Sequence, residues 1–334
     1  MARELAIDLG TSSTQVYVRG QGLVLDEPSV VALDGRTQTV LAIGREATEL
    51  IGRTTRPIRA VHPIFQGAVA DFEITSRMLR YLIRRVGGSR FQRPKVVLSV
   101  PASATPIERR ALLKAASEAG ASSVRLLEAP MAAAMELGLP FGDPVGTMVC
   151  DLGGGKSEIA VLSLGGIVAL RSLRIGGGDL DDAIASSIRN HYGVVISSET
   201  AAAVKVAVGS VAPFAGERAL EINGRAVATG EPRAVVITPE EVRLAVEDVV
   251  SQILAVTVQC LAESPPELSQ DIIFHGIHLH GGGAQLRGFD QRLREATEVP
   301  VHLHEHPAQV VIGGTGRCMG ALDRYDQLFS RAGS

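Results

Sequence analysis

The sequence predicts an α/β fold made twice, as two similar domains that each mix strands and helices. Three observations carry that prediction. A strand, an Asp-Leu-Gly turn and a second strand occupy Glu4–Arg19, and the same unit returns at Thr147–Leu162 about half a chain later. Short β-branched runs alternate along the chain with apolar residues at helical spacing. The 334 residues are 46% hydrophobic, enough for one large or two medium cores.

In chain order, strands are expected at Glu4–Leu9, Gln15–Arg19, Ser29–Leu33 and Val40–Ile43, separated by Gly, Asp and Arg turns. Met78, Leu79, Leu82 and Ile83 mark a helix that ends at Gly87-Gly88-Ser89. Lys95–Val100 reads as a buried strand. Thr105–Gly120 reads as a helix with Thr105 as N-cap, Pro106 at its first position, Glu108 three residues past the cap and Gly120 as its stop. The second copy has strands at Thr147–Leu152, Glu158–Leu162 and Ile167–Arg174, then helices at Asp179–Tyr192 and Thr200–Val208. Ala212–Arg233 is a hairpin excursion and Glu240–Leu261 a long amphipathic helix. Two glycine turns follow, at Gly281–Gly283 and at Gly313-Gly314-Thr315-Gly316.

Composition excludes several classes. With 33 basic and 36 acidic residues, the net charge of −3 gives no electrostatic case for nucleic acid as a partner. Three scattered cysteines read as reduced thiols of a cytosolic protein. A strand pattern begins within a few residues of Met1, so no signal peptide is expected ahead of it. No run of about 18 apolar residues occurs, so no membrane span is expected and any membrane contact is peripheral.

The chemistry lies in the repeated turns. Glycine after a strand-ending aspartate lets consecutive amides face an anion with no Cβ in the way, and the aspartate suits magnesium, which prefers oxygen ligands. The first turn offers Asp8, Gly10 and the hydroxyls of Thr11, Ser12, Ser13 and Thr14. The second offers Asp151, Gly153, Gly154, Gly155 and Lys156. Two such hairpins can clamp phosphates from opposite sides, while Gly281, Gly282, Gly283 and Ala284 approach a base or ribose.

Asp8-Leu-Gly-Thr, Asp151-Leu-Gly-Gly-Gly, Glu128-Ala-Pro-Met-Ala-Ala-Ala and His280-Gly-Gly-Gly-Ala resemble the phosphate 1, connect, phosphate 2 and adenosine motifs of the actin, sugar-kinase and heat-shock-chaperone superfamily. Leu25-Asp-Glu-Pro-Ser-Val-Val-Ala, Gly67-Ala-Val-Ala-Asp-Phe, Ser163-Leu-Gly-Gly-Ile-Val, Thr229-Gly-Glu-Pro and Ser264-Pro-Pro-Glu-Leu narrow the resemblance to the MreB/Mbl bacterial actins, over about residues 4–322. The resemblance implies an actin-like ATPase fold of four subdomains around a nucleotide cleft. Domain I would cover 1–142 with 318–334 returning to it, and domain II 143–317, with smaller subdomains near 32–72 and 181–250. It also implies ATP with Mg²⁺ held by Asp8 and Asp151, self-assembly into filaments, copolymerisation with MreB-type paralogues, and a place with the cell-wall elongation machinery on the inner membrane surface. A degenerate, non-hydrolysing copolymer and a sugar kinase of the same fold are the rival readings.

In the family a glutamate of a Glu-Arg-Arg helix start orients the attacking water, and Glu108 stands there. Thr105-Pro-Ile-Glu108 is equally a capping box, so both roles are open to Glu108. Lys156 and Ser157 replace the usual threonines after the second turn. Lys205 keeps the nucleoside-contacting lysine, but Ala202 and Ala203 lack the acidic partner. A loop with Phe91 among Arg84, Arg85, Arg90 and Arg93 either enters a membrane interface or packs back on its domain. His275/His278/His280 and His302/His304/His306 admit metal ligation or simple polar strand ends.

Overall fold

The computed structural model describes residues 3–51, 57–86, 93–321 and 328–331. The chain divides into two compact units, Met1–Pro144 with Leu164–Gly166 and Gln309–Ser334, and Val145–Ser163 with Ile167–Ala308.

The first unit opens with the strands β1 (Glu4–Leu9), β2 (Ser13–Val18) and β3 (Gly22–Pro28), an antiparallel meander. A small sheet follows, formed by β4 (Val31–Asp34), β5 (Val40–Ile43) and β6 (Ile58–Val61), with helix α1 (Arg45–Leu50) against it. A short hairpin, β7 (Ile64–Phe65) and β8 (Ala68–Val69), precedes helix α2 (Phe72–Val86). Then come β9 (Lys95–Val100), α3 (Pro106–Ala119), β10 (Ser123–Glu128) and α4 (Ala129–Glu136). β9 lies parallel between β1 and β10. Helix α2 forms because Ile74, Met78, Leu79, Leu82, Ile83 and Val86 recur on one face, and all are buried in the core under the sheet. Each such side chain contributes roughly 1.5–3 kcal/mol by leaving water.

The second unit repeats the plan. β11 (Thr147–Leu152) and β12 (Ser157–Ser163) pair antiparallel, and β13 (Gly166–Leu173) lies beside β12. Helix α5 (Gly177–Tyr192), β14 (Val194–Val195), α6 (Ser198–Val208) and the hairpin β15 (Leu220–Ala226) and β16 (Pro232–Ile237) follow. Helices α7 (Pro239–Ala262) and α8 (Pro266–His275), β17 (Ile277–His280), α9 (Phe289–Thr297) and β18 (Val301–Leu303) complete it. β17 pairs parallel with β11, as β9 does with β1.

One expectation is narrowed and another is corrected. By length and composition α7 is apolar enough to cross a membrane. Its buried residues Val242, Val246, Val250, Ile253, Leu254, Thr257 and Cys260 instead form a stripe packed on α5, β12 and α9, so it is an amphipathic helix with one face in the core. Gly313-Gly314-Thr315-Gly316 is not a turn but lies inside helix α10 (Val310–Cys318), which packs on α4 ahead of the last strand, β19 (Phe329–Arg331). A Cβ on Gly314 would stand 1.8 Å from the Ala132 carbonyl and one on Gly316 2.7 Å from the Tyr17 ring. These glycines serve close helix approach, which overrides their preference for turns.

Candidate functional site

The first hairpin closes with the Gly10 amide donating to the Ser13 carbonyl at 3.1 Å, and a Cβ on Gly10 would meet that oxygen at 2.7 Å. Side chains brace it. The buried Ser29 hydroxyl donates to the Gly10 carbonyl (2.7 Å) and meets the Thr14 hydroxyl (2.8 Å), while the Ser29 amide donates to the Ser12 carbonyl. Thr11 accepts from the Gly67 amide at 3.0 Å. Asp8, the second-last residue of β1, lies beside Ser99 of β9, whose hydroxyl donates to Oδ1 at 2.5 Å. Burial raises the Asp8 pKa, Ser99 pulls it back, and Asp26 adds to the rise.

The second hairpin closes the same way, with the Gly153 amide on the Lys156 carbonyl at 2.9 Å and a Cβ on Gly153 2.8 Å from that oxygen. Backbone braces this one. The Gly177 and Gly178 amides at the start of α5 donate to the Gly153 and Gly154 carbonyls, at 2.9 and 2.7 Å. Ser157 Oγ donates to the Ile175 carbonyl. Lys156 turns onto Glu158, Nζ to Oε1 3.6 Å, with the two side chains 15% and 4% exposed.

Lys205, Gly281, Gly282, Gly283 and Ala284 gather around this hairpin. Gly281 has φ +87 and donates to the Pro307 carbonyl, and a Cβ on it would stand 2.3 Å from Asp151 Oδ1. Gly282 faces open space, and Ala284 is buried behind it. Lys205 donates to the Gly177 carbonyl (2.7 Å) and pairs with Asp181 (2.8 Å). That engagement was not legible from the sequence, where Asp181 carries no motif.

Glu108 occupies the capping box. Its Oε2 accepts from the Thr105 amide (2.7 Å) and hydroxyl (3.0 Å), and its amide donates to Thr105 Oγ1. Arg109 pins the preceding loop through the Ala102 and Ala104 carbonyls and pairs with Glu128 at 2.7 Å. Phe91 and Arg90 lie outside the described residues. Of their neighbours, Arg85 pairs with Glu27 at 2.9 Å, and Arg93 bonds the Gly120 and Ala121 carbonyls.

Among the described residues no group of three or more His, Cys, Asp or Glu side chains is placed to hold an ion. His302 and His304 stack on His278 instead, at 5.1 and 5.6 Å between ring centres. Burial, aided by the neighbouring rings, pushes His278 down to about 4. His280 is fully buried, with no hydrogen-bond partner among the described residues, and its pKa falls to about 3, chiefly by burial. It is therefore neutral at pH 7, and its Nδ1, 3.7 Å from Asp151 Oδ1, forms no ion pair there.

A family model of the MreB/Mbl proteins matches residues 2–327. The cell shape-determining protein MreB of Escherichia coli (strain K12) is 42% identical over 98% of this chain and 97% of its own length. The cell shape-determining protein Mbl of Bacillus cereus (strain ATCC 10987 / NRS 248) is 41% identical over 97% of each. A crystal structure of MreB5 of Spiroplasma citri bound to ADP shares the fold at a TM-score of 0.92 and 33% identity, over 98% of this chain and 99% of that one. The MamK double helical filament shares the fold at a TM-score of 0.80 and 23% identity, over 96% and 99%. The match runs through both hairpins and both units, and the chain belongs to the MreB/Mbl family, with its actin-like α/β fold.

Proposed function

We propose that this chain is an ATP-binding, filament-forming bacterial actin that determines cell shape. The observation that carries the reading is the pair of hairpins with one closing geometry, in a chain 42% identical to a cell shape-determining MreB. The Spiroplasma relative binds ADP and AMPPNP, which supports a nucleotide here. The phosphate donors are amides of the Thr11–Thr14 and Gly154–Lys156 stretches, those of Gly10 and Gly153 closing the hairpins, and Gly281–Ala284 receive the nucleoside. Asp8 and Asp151 hold Mg²⁺, largely through its waters. A carboxyl whose ionisation is opposed by burial, as at Asp8, is a group that a nearby cation stabilises.

Hydrolysis is slow in this reading. Turning Oε2 of Glu108 from its cap to a water would give up two hydrogen bonds, at roughly 0.5–1.5 kcal/mol each. The same cap, with Lys156 turned onto Glu158, favours a second reading, a non-hydrolysing subunit that copolymerises with a paralogue. In both readings the protein works with the cell-wall elongation machinery at the inner membrane face, and the Phe91 loop supplies a peripheral anchor.

ATP-dependent pelleting measured together with phosphate release tests the proposal. Pelleting with slow release is expected. Filaments without release select the copolymer, and no ATP-dependent pelleting, alone or with a paralogue, overturns both.

A further inference from the structure

Each unit carries an aspartate as the second-last residue of its first hairpin strand, and each sets one residue of the neighbouring parallel strand against it. In the first unit β1 and β9 put Asp8 opposite Ser99, whose hydroxyl donates to Asp8 Oδ1 at 2.5 Å. In the second unit β11 and β17 put Asp151 opposite His280. Residues paired across parallel strands project to one face of the sheet. His280 therefore stands to Asp151 as Ser99 stands to Asp8.

The imidazole has an unmet requirement there. His280 is fully buried, and neither ring nitrogen has a hydrogen-bond partner among the described residues. A neutral imidazole carries one N–H, and a buried donor left unpaired costs free energy. The nearby rings of His278 and His304 already engage each other, Nδ1 to Nε2 at 3.4 Å. His280 Nδ1 lies 3.7 Å from Asp151 Oδ1, slightly beyond the roughly 3.2 Å reach of an N–H···O bond. The Asp151 side chain is 26% exposed, so it has room to turn toward a ring that packing holds in place. Gly281 makes the close approach possible, since a Cβ there would stand 2.3 Å from the same Oδ1.

We infer that His280 is a positioning residue for Asp151, its neutral imidazole donating Nδ1–H to the carboxylate and holding it in one orientation for the nucleotide's Mg²⁺. A carboxylate already fixed by a hydrogen bond has less freedom to lose when the ion and its waters arrive. An unprotonated Nδ1 would set its lone pair against the carboxylate, so the pairing selects the Nδ1–H tautomer and leaves Nε2 bare. Ser99 does the same for Asp8 with a hydroxyl. The inference rests on the magnesium-nucleotide reading above.

The test is the factor by which Mg²⁺ tightens binding of a fluorescent ATP analogue to the full-length chain, measured for each variant with Mg²⁺ and with chelator. His280→Leu is expected to lower that factor about tenfold, the lower end of the cost of losing a hydrogen bond behind a metal-binding carboxylate. His280→Asn carries an amide N–H near the Nδ1 position and is expected to return the factor to within about twofold of wild type. His280→Gln, whose amide reaches the Nε2 position, is expected to stay low. In an Asp151→Asn background His280→Leu should lower the factor no further. Histidine-nitrogen NMR of the nucleotide-free chain, assigned by the signals lost in His280→Asn, should show the Nδ1–H tautomer. If His280→Leu does not fold, the contrast between Asn and Gln decides alone. A purely structural role weakens binding with and without Mg²⁺ alike, keeps the factor at its wild-type value and does not separate Asn from Gln. That result, or the Nε2–H tautomer, overturns the inference, and the magnesium reading stands if Asp151→Asn still lowers the factor. If Asp151→Asn leaves the factor unchanged, both fall.

Discussion

The two hairpins close through the same bond, Gly10 to Ser13 and Gly153 to Lys156, yet they are braced by opposite means. The first is held by hydroxyls, chiefly those of Ser29 and Thr11. The second is held by amides of Gly177 and Gly178 and crowded by Gly281. A brace made of side chains is broken by removing atoms. A brace made of glycine backbone is broken by adding them.

The largest expected effect is therefore an added methyl. A Cβ on Gly176 would stand 2.5 Å from the Gly153 carbonyl and 2.7 Å from the Lys156 amide, both backbone atoms that cannot swing away. Gly176→Ala is expected to cost about 3 kcal/mol, the upper part of the overpacking range, and to abolish ATP binding. Thermal melts and titration with a fluorescent ATP analogue measure the two effects. An alanine variant that binds ATP normally would show that the stitch between hairpin and α5 is dispensable.

Acid separates the hairpins next. His280 has a folded pKa of about 3 and His278 of about 4, against 6.5 unfolded, so between those values the unfolded chain binds protons that the folded chain does not. Stability of the second unit therefore falls as pH drops below 6.5. Asp8 has the opposite sign. Its folded pKa is raised above 3.8, so its contribution is present below 3.8 and lost as pH rises through the raised value. Denaturant titrations across pH 4–7 should show a shallower acid loss in His280→Leu, and Asp8→Asn should be more stable than wild type at neutral pH without nucleotide. Parallel pH profiles for all three proteins would refute the burial argument.

These contrasts also mark what the sequence can and cannot carry. The hairpins were legible because Asp-x-Gly between two β-branched runs is a local signal, and so was the Thr105–Gly120 helix, whose cap and αL stop at Gly120 are both local. Glu108 was legible as a cap for the same reason. The braces were not. Ser29, Ser99 and Asp181 meet their partners across 19, 91 and 24 residues of chain, and nothing in their neighbours' identities announces it. The glycines of α10 misled because a Gly-Gly-Thr-Gly run signals a turn locally, whereas contact with α4 decides.

Removing atoms should hurt the first hairpin less than adding them hurts the second. Ser29→Ala deletes the bonds to Gly10 and Thr14 and leaves the buried Thr14 hydroxyl without that partner, at about 1–3 kcal/mol. Adding Thr14→Val should recover part of the loss, because replacing both partners by apolar groups is nearly neutral. Failure of the second substitution to recover any stability would move the brace from the hydroxyl pair to the Gly10 carbonyl alone.

The smallest expected effect concerns the residue that distinguishes the second hairpin by charge. Lys156 would strengthen phosphate binding only if its ammonium were available, but it lies 3.6 Å from the nearly buried Glu158. Lys156→Met alone is a poor probe, since it strips a cation from that carboxylate and adds negative charge beside the phosphates. Lys156→Met with Glu158→Gln removes both charges at nearly constant shape. If the pair is internally neutral, the double variant should bind ATP within about twofold of wild type, a difference well under the 1.4 kcal/mol of a tenfold change. A loss of tenfold or more would mean that Lys156 leaves Glu158 for the phosphates when nucleotide arrives, and the second hairpin would then grip by charge where the first grips by hydroxyl and amide alone.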